Sequence, residues 1–214
     1  MTSRRLSPID RFLSGLDNAL RTVAGAPAGG ARPNPAADIA DTELDASERR
    51  HAAGLMRVNH AGEVAAQALY QGHAAVARDP DIASHLRQAA REERDHLLWC
   101  EARLTELDGD TSRLAPLWFG GAWLIGAASG ILGDRWALGF VEETERQVAR
   151  HLEDHLGRLP ATDHRSRAIL SRMRDEEIEH GAAAGRKGAA QLPLPVQRLM
   201  QASAAVMTRT AYWL

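Results

Sequence analysis

Apolar residues recur every three or four positions along most of the 214-residue chain, which is the spacing of a buried stripe on an α-helix. This pattern predicts four long helices, over about residues 47–77, 80–107, 134–159 and 163–190. At 1.5 Å per residue each is ~40 Å long, which suits a four-helix bundle. A further helix is predicted over residues 195–214. β-Branched residues form no alternating runs, so we expect an all-α protein.

The first 40 residues are predicted to lie outside the bundle. Ser7, as a helix cap, and Pro8, at the first helical position, open a short amphipathic helix. The stretch AGAPAGGARPNPAA follows it and has no helical period, which indicates a linker. The expected division is therefore residues 1–40, an N-terminal helix with its linker, and residues 41–214, the bundle.

The segment 114–133, between the second and third bundle helices, carries no charged side chain. Its 20 residues reach the length needed to cross a bilayer, but five glycines and an early proline weaken that interpretation. Three alternatives stay open: a fully buried crossover helix, a segment in the membrane interface, and a true span. A long connection at this place is typical of ferritin-like bundles.

Charge and cysteine content narrow the setting of the protein. The formal net charge is -2, with acidic and basic residues interspersed, so no basic surface for nucleic acid is indicated. Cys100 is the single cysteine and has no partner for an internal disulfide. No signal peptide is recognised at the start of the chain. These features predict a reducing, cytoplasmic setting.

Every bundle helix places acid on its apolar stripe. The first and third helices each carry one inward glutamate, and the second and fourth each carry an ExxH pair, whose i,i+3 spacing aims both side chains at one point. The inward polar residues are Glu63, Glu93, His96, Glu145, Glu177 and His180. Four buried carboxylates without cations would be untenable, because each ion costs several kcal/mol to desolvate and like charges repel.

The spacing of these residues indicates a repeated helix pair. Glu63 precedes Glu93 by 30 residues, and Glu145 precedes Glu177 by 32. Four glutamates and two histidines in this arrangement form the ligand set of carboxylate-bridged di-iron or di-manganese sites. Oxygen and imidazole ligands suit iron or manganese better than soft metals. The alternative, a set of interior salt bridges with arginine, suffers because Arg94 lies off the stripe.

The third helix leaves its ligand open. Glu142 lies one turn before Glu145 on nearly the same face and is the rival ligand, whereas Glu143 is expected to point into solvent. Tyr70 is expected to be a core residue rather than a redox participant.

Several neighbours could support the ligands. Glu92 and Glu176 directly precede the ExxH glutamates and are predicted to orient the opposite histidines. His60 and His151 are either close to the metals or satisfied interior histidines, and both alternatives stay open.

Longer motifs extend the pattern. They are GLMRVNHAGEVAAQALYQGH, EERDHLLWC, PLW before a glycine-rich apolar stretch, VEETERQVARHL and DEEIEHG. From about Glu48 to Leu214 the chain resembles the bacterial demethoxyubiquinone hydroxylases of ubiquinone biosynthesis. NHAGE, combined with two ExxH motifs and the apolar insert, separates this group from ferritins and rubrerythrins.

The resemblance implies a membrane-associated di-iron monooxygenase. Its members hydroxylate 2-polyprenyl-3-methyl-6-methoxy-1,4-benzoquinol with O2 and an external reductant, so two iron ions per chain are expected. The implied place is peripheral, at the cytoplasmic face of the bacterial inner membrane, with the insert 114–133 as a docking segment. Self-association and assembly with other enzymes of ubiquinone biosynthesis are left open. The ligands implied are Glu63, Glu93, His96, Glu145, Glu177 and His180.

Two other classes of protein share parts of this pattern. A ferritin-like or rubrerythrin-like protein that handles iron or reduces peroxide would have the same metal site but no use for an apolar insert. A membrane helical protein with a structural or ion-conducting acidic core would lack two irons per chain.

Overall fold

A computed structural model describes Thr22 and residues 32–214. Within these residues the chain forms six α-helices and no β-strand. They are α1, Ala46–Val76; α2, Pro80–Glu106; α3, Ala115–Ile131; α4, Asp134–Arg158; α5, His164–Arg186; and α6, Leu194–Ala211. The fold class is all-α, a ferritin-like bundle of α1, α2, α4 and α5. The predicted amphipathic N-terminal helix lies outside the described residues, apart from Thr22.

Local signals fix most helix ends. Asp45 caps α1 in a capping box with Glu48, and Asp79 caps α2 just before a proline in its first turn. The predicted bounds agree closely, except that α5 stops at Arg186 rather than at residue 190. There Gly188 takes a φ of 91°, which an L residue rarely adopts, and the backbone N–H of Ala190 donates to the Arg135 carbonyl.

The bundle consists of two helix pairs that face each other. α1 packs against α2 and α4 against α5, while α1 also meets α4 and α2 meets α5. One apolar cluster around Met56, Leu104 and Leu152 fills one end. A second cluster around Leu86 and Leu138 fills the other end. Between them along every bundle helix lies a layer of buried polar side chains.

The crossover helix α3 is fixed tightly to α1. A Cβ at Gly126 would overlap the carbonyl oxygen of Leu69, so only glycine permits this approach. His73 Nε2 lies 2.6 Å from Ser129 Oγ across the same contact. The described part of the chain has no helix long and apolar enough to span a membrane.

The opposite face of α3 is apolar and open. Leu124 is 63% exposed, and Leu117, Ile125 and Ile131 are also exposed. The crossover is therefore not the fully buried helix of the first alternative, because only one side of it, with Phe119 and small residues such as Gly126 and Ser129, is buried. The end of the chain after α6 lies beside the start of α3, because the backbone N–H of Arg113 donates to the carbonyl of Leu214.

Candidate metal centre

The six inward residues predicted from the sequence come together in the polar layer. α1 contributes one glutamate, α2 and α5 one ExxH pair each, and α4 one glutamate. The residues are Glu63 on α1, Glu93 and His96 on α2, Glu145 on α4, and Glu177 and His180 on α5. All are buried except His180, whose side chain is 17% exposed. That they bind metal stays a prediction.

One half of the centre surrounds His96 and is called the His96 half. Nδ1 of His96 lies 3.0 Å from Glu177 Oε1, 3.1 Å from Glu93 Oε2 and 3.7 Å from Glu63 Oε2. Ligand atoms of these four residues all lie within 4.8 Å of one another. The His96 half can therefore hold one cation without rearrangement of the helices.

The second half surrounds His180 and is called the His180 half. Nδ1 of His180 lies 3.0 Å from Glu93 Oε1 and 3.4 Å from Glu177 Oε2, so Glu93 and Glu177 face both histidines. Glu145 shares a hydrogen bond with Glu177, and the Tyr70 hydroxyl donates to Glu145 Oε1. Tyr70 is a core residue, as predicted, and it is also a hydrogen-bond partner of a predicted ligand.

Each imidazole uses its other nitrogen outside the centre. His96 Nε2 lies 2.7 Å from Glu176 Oε2, and His180 Nε2 lies 3.2 Å from Glu92 Oε2. The prediction that these glutamates contact the opposite histidines is confirmed. Such an outer carboxylate fixes the imidazole tautomer, leaving Nδ1 free to ligate.

The carboxylates raise the pKa of both histidines. Burial lowers the pKa of His96, but Glu93 and its other acidic neighbours outweigh burial and raise that pKa well above its ordinary value. Burial also lowers the pKa of His180, but hydrogen bonds to Glu177 and Glu93 outweigh burial and raise that pKa to about 12. Without a metal, protons on the imidazoles supply the positive charge that the carboxylates require.

The four glutamates divide into two kinds. Burial, followed by neighbouring carboxylates, raises the pKa of Glu63 and of Glu145 well above the ordinary range. Burial also tends to raise the pKa of Glu93 and of Glu177, but the two histidines outweigh burial and lower the pKa of each. The shared carboxylates are thus the charged ones.

The donor set fits a hard cation. Glu93 Oε1 and Glu177 Oε1 are buried and accept no hydrogen bond with good geometry, although each lies 3.0 Å from a histidine Nδ1. Among the described residues, the ion pairs of the central carboxylates reach only His96 and His180. The interior arginine bridges of the alternative hypothesis are therefore not seen at the centre.

The sequence left two candidate ligands on the third bundle helix, which is α4. The packing of α4 separates them. Glu145 enters the centre, whereas Glu142 is half-buried and lies beside Gly185 of α5. The expectation for Glu143 is wrong: it is buried and bonded to Arg146. The reason is α6, which covers this face, since Arg146 also donates to Gln197 on that helix.

Two openings lead to the centre. A groove of about 500 Å³ between α1, α4 and α6 reaches Glu63 and is lined by Val58, Asn59, His151 and Met207. His151 Nε2 is buried in this groove and has no hydrogen-bond partner among the described residues. A separate polar cleft of about 430 Å³ reaches the side chain of His180 between α2 and α5.

The fold and the centre define a ferritin-like helical protein with a buried carboxylate and histidine cluster that could hold metal. The family described as "Ubiquinone biosynthesis protein COQ7" matches residues 50–211, and the chain belongs to this family.

Relatives named 3-demethoxyubiquinol 3-hydroxylase cover nearly the whole chain. One, from Polynucleobacter necessarius, is 54% identical over 208 residues, which is 97% of this chain and 99% of the relative. Another, from Nitrosococcus oceani, is 52% identical over 214 residues and covers 100% of both chains. A third, from Xanthomonas oryzae, is 54% identical over 210 residues, or 98% of this chain and 96% of the relative.

Proposed function

We propose that this chain is an O2-dependent di-iron monooxygenase that hydroxylates 2-polyprenyl-3-methyl-6-methoxy-1,4-benzoquinol in ubiquinone biosynthesis. The observation that carries the proposal is a cluster of four buried glutamates with the buried His96 and the partly exposed His180, of which Glu63, Glu93, His96 and Glu177 have ligand atoms within 4.8 Å of one another. The names of its relatives, which share more than half of their residues with it, supply the substrate class.

Two irons would share the central carboxylates. The first would be held in the His96 half with Glu63, and the second in the His180 half with Glu145, while Glu93 and Glu177 face both. Bound iron would supply the activation of O2, so that one oxygen atom enters a ring C–H bond and the other leaves as water, with two electrons and two protons from an external reductant and solvent.

The groove between α1, α4 and α6 would bind the quinol ring. Its inner end is Glu63, and Val58 and Met207 supply apolar walls that exclude water. Burial lowers the pKa of His151, so its neutral ring can hydrogen-bond a quinol hydroxyl through the unpartnered Nε2. His155 Nδ1 donates to Asn59 Oδ1 at 2.8 Å, which fixes a second polar group at the groove.

The open face of α3 would lie on a bilayer. A polyprenyl substrate resides in lipid, and α3 presents a row of exposed apolar side chains without charge. We propose peripheral docking at the cytoplasmic face of the inner membrane, and the exposed apolar side chains of α3 support the docking.

Vesicles test the docking. Leu124→Ser should weaken cosedimentation with vesicles of phosphatidylethanolamine and phosphatidylglycerol. Ile178→Ser is the matched control, because Ile178 on α5 is 58% exposed against 63% for Leu124. Equal binding of both variants would count against α3 as the membrane surface.

Labelled oxygen tests the reaction. The iron-loaded protein is reduced without oxygen and then exposed to 18O2 with the demethoxy-quinol. The mass of the product is measured by mass spectrometry. We expect one labelled oxygen atom in the ring, and none with Glu177→Ala. Iron oxidation without ring oxygenation would instead support the iron-handling alternative.

A further inference from the structure

Arg32 connects the segment before the bundle to the outer side of the candidate metal centre. Its Nε donates to Asp95 Oδ2 at 2.6 Å and its Nη1 to Glu176 Oε1 at 2.7 Å. Its Nη2 donates to the backbone carbonyl of Glu92 at 3.2 Å. The guanidinium also lies 5.0 Å from the centre of the Trp99 ring. One side chain from a non-helical segment thus joins α2 to α5.

Two of the residues that Arg32 contacts, Glu176 and Trp99, are also neighbours of His96. Glu176 holds His96 Nε2 at 2.7 Å, and the Trp99 ring lies 5.3 Å from the His96 ring. The Nε2 edge and one side of the imidazole ring therefore lie against groups that Arg32 itself contacts. A planar guanidinium with several donors suits this task, because it binds two carboxylates and stacks on an aromatic ring at once.

The backbone that carries Arg32 is anchored independently. Ala36 is buried in the apolar cluster at one end of the bundle, and its N–H donates to the Asn34 side chain at 2.8 Å. Arg165 on α5 donates to the carbonyl of Ile39 at 2.8 Å. The segment therefore holds the guanidinium in place, rather than the guanidinium holding a loose segment.

In the part of the chain that the structure describes, no arginine bonds to the outer carboxylate of the His180 half. Its outer carboxylate, Glu92, is 39% exposed, and among the described residues its side chain meets His180 and the neutral amide of Gln88. Glu176, in contrast, is 10% exposed and receives hydrogen bonds from Arg32 and Arg172.

We propose that Arg32 is a positioning residue that fixes His96 through Glu176 and makes the His96 half the tighter of two metal positions. This inference rests on the proposed function, since it requires that the centre binds two metal ions. An outer partner held rigidly keeps the ligand nitrogen oriented, which lowers the entropy lost when metal binds.

Stepwise cobalt binding tests the proposal in the full-length protein. Metal is removed and Co²⁺ is added back, and calorimetry and the d–d absorption follow each step. We expect two unequal steps in the original protein. Arg32→Gln should weaken the tighter step by ~10-fold or more, as loss of outer partners does, and leave the weaker step within about 2-fold. Arg32→Lys should give an intermediate effect.

Arg172→Gln is the matched control. Arg172 Nε donates to the same Glu176 Oε1 at 2.5 Å, but from an exposed position one turn away on the same helix. It should leave both cobalt steps unchanged. An equal effect of both variants would show that positive charge near Glu176 is all that counts and would overturn the positioning role.

Other outcomes separate this inference from the proposed function. If Arg32→Gln binds both cobalt ions as the original protein does, the inference is wrong and the proposed function stands. If it weakens both steps equally and lowers the unfolding temperature of the metal-free protein, the role of Arg32 is structural. If the original protein binds no cobalt, the proposed metal centre itself fails.

Discussion

The His96 half and the His180 half of the candidate metal centre share their charged carboxylates. They differ in the burial and the hydrogen bonds of the groups outside those carboxylates. Glu93 and Glu177 face both imidazoles at 3.0–3.4 Å. His96 is fully buried, whereas the side chain of His180 is 17% exposed beside a polar cleft. Similar charges around both histidines therefore coexist with unequal rigidity, because rigidity is set by the outer contacts.

This difference separates two properties of a metal centre that usually vary together. The charge balance depends on the central carboxylates, which act on both halves at short range. The orientation of each ligand depends on its outer carboxylate, and a buried hydrogen-bonded group is held more firmly than an exposed one. Substitutions of the shared carboxylates Glu93 and Glu177 should thus affect both halves, and substitutions of an outer carboxylate only one.

Glu177→Ala should have the largest effect and should abolish the distinction between the halves. Glu177 lies 3.0 Å from His96 Nδ1 and 3.4 Å from His180 Nδ1, so both positions lose a ligand. We expect fewer than two irons per chain and a loss of hydroxylation of at least ~100-fold, since even outer partners account for ~10–100-fold. Iron analysis and product mass measure this.

The control for Glu177 is Glu153→Ala, which removes an exposed partner of Arg174 on the surface of α4. It should keep both irons and the activity. Two irons and full activity in Glu177→Ala would refute the ligand assignment.

The outer carboxylates should distinguish the halves. Glu176→Gln removes a buried carboxylate that holds His96 at 2.7 Å, and we expect a ~10–100-fold loss of affinity for one metal ion. Glu92→Gln changes a more exposed contact of 3.2 Å to His180 and should cost about 3-fold or less. Metal titrations of the two variants compare these effects directly. Equal losses would show that exposure of the outer partner does not matter here.

The helices and the centre were predictable because their signals are local. Helical periodicity repeats every few residues, and the ExxH pairs place Glu93 and His96 on one stripe by themselves. The third-helix glutamate also followed from its stripe, since Glu145 and not Glu142 faces the centre. Which side chains of a helix are buried in the bundle follows from such patterns, whatever the connections between the helices are.

Contacts between distant parts of the chain were not predictable in this way. Arg32 lies in an aperiodic stretch, and its partners Asp95 and Glu176 are 63 and 144 residues away. Glu143 was misplaced because its burial depends on the face of the bundle that α6 covers. Tyr70 matched a core position, and its hydrogen bond to Glu145 arises only where α1 meets α4.

Tyr70→Phe should act on the His180 half alone and more weakly. It removes one hydrogen bond to the buried Glu145, which should lower the free energy of unfolding by about 1–3 kcal/mol. Metal affinity should fall at one step only, by less than in Glu176→Gln. Tyr212→Phe is the control, because its hydroxyl lies 2.7 Å from His51 Nδ1, a partner outside the polar layer. It should cost similar stability without any change in metal binding.

The pH dependence of stability should be the property that the two halves share. In the metal-free protein both histidines have a raised pKa, so they stabilise the fold fully below the unfolded value of 6.5. Their contribution is lost as the pH rises above 6.5, towards about 12 for His180. The unfolding temperature of the metal-free protein should therefore fall as the pH rises above 6.5.

Bound metal should reverse this trend, because it requires deprotonated ligands and binds more tightly as the pH rises. The gap between the metal-loaded and metal-free unfolding temperatures should thus widen with pH. In the metal-free protein His96→Gln and His180→Gln should each reduce the pH slope by a similar amount, since Glu93 and Glu177 face both rings. A slope that depends on His96 alone would mean that exposure decouples His180 from the shared carboxylates, and the halves would then differ in charge as well as in rigidity.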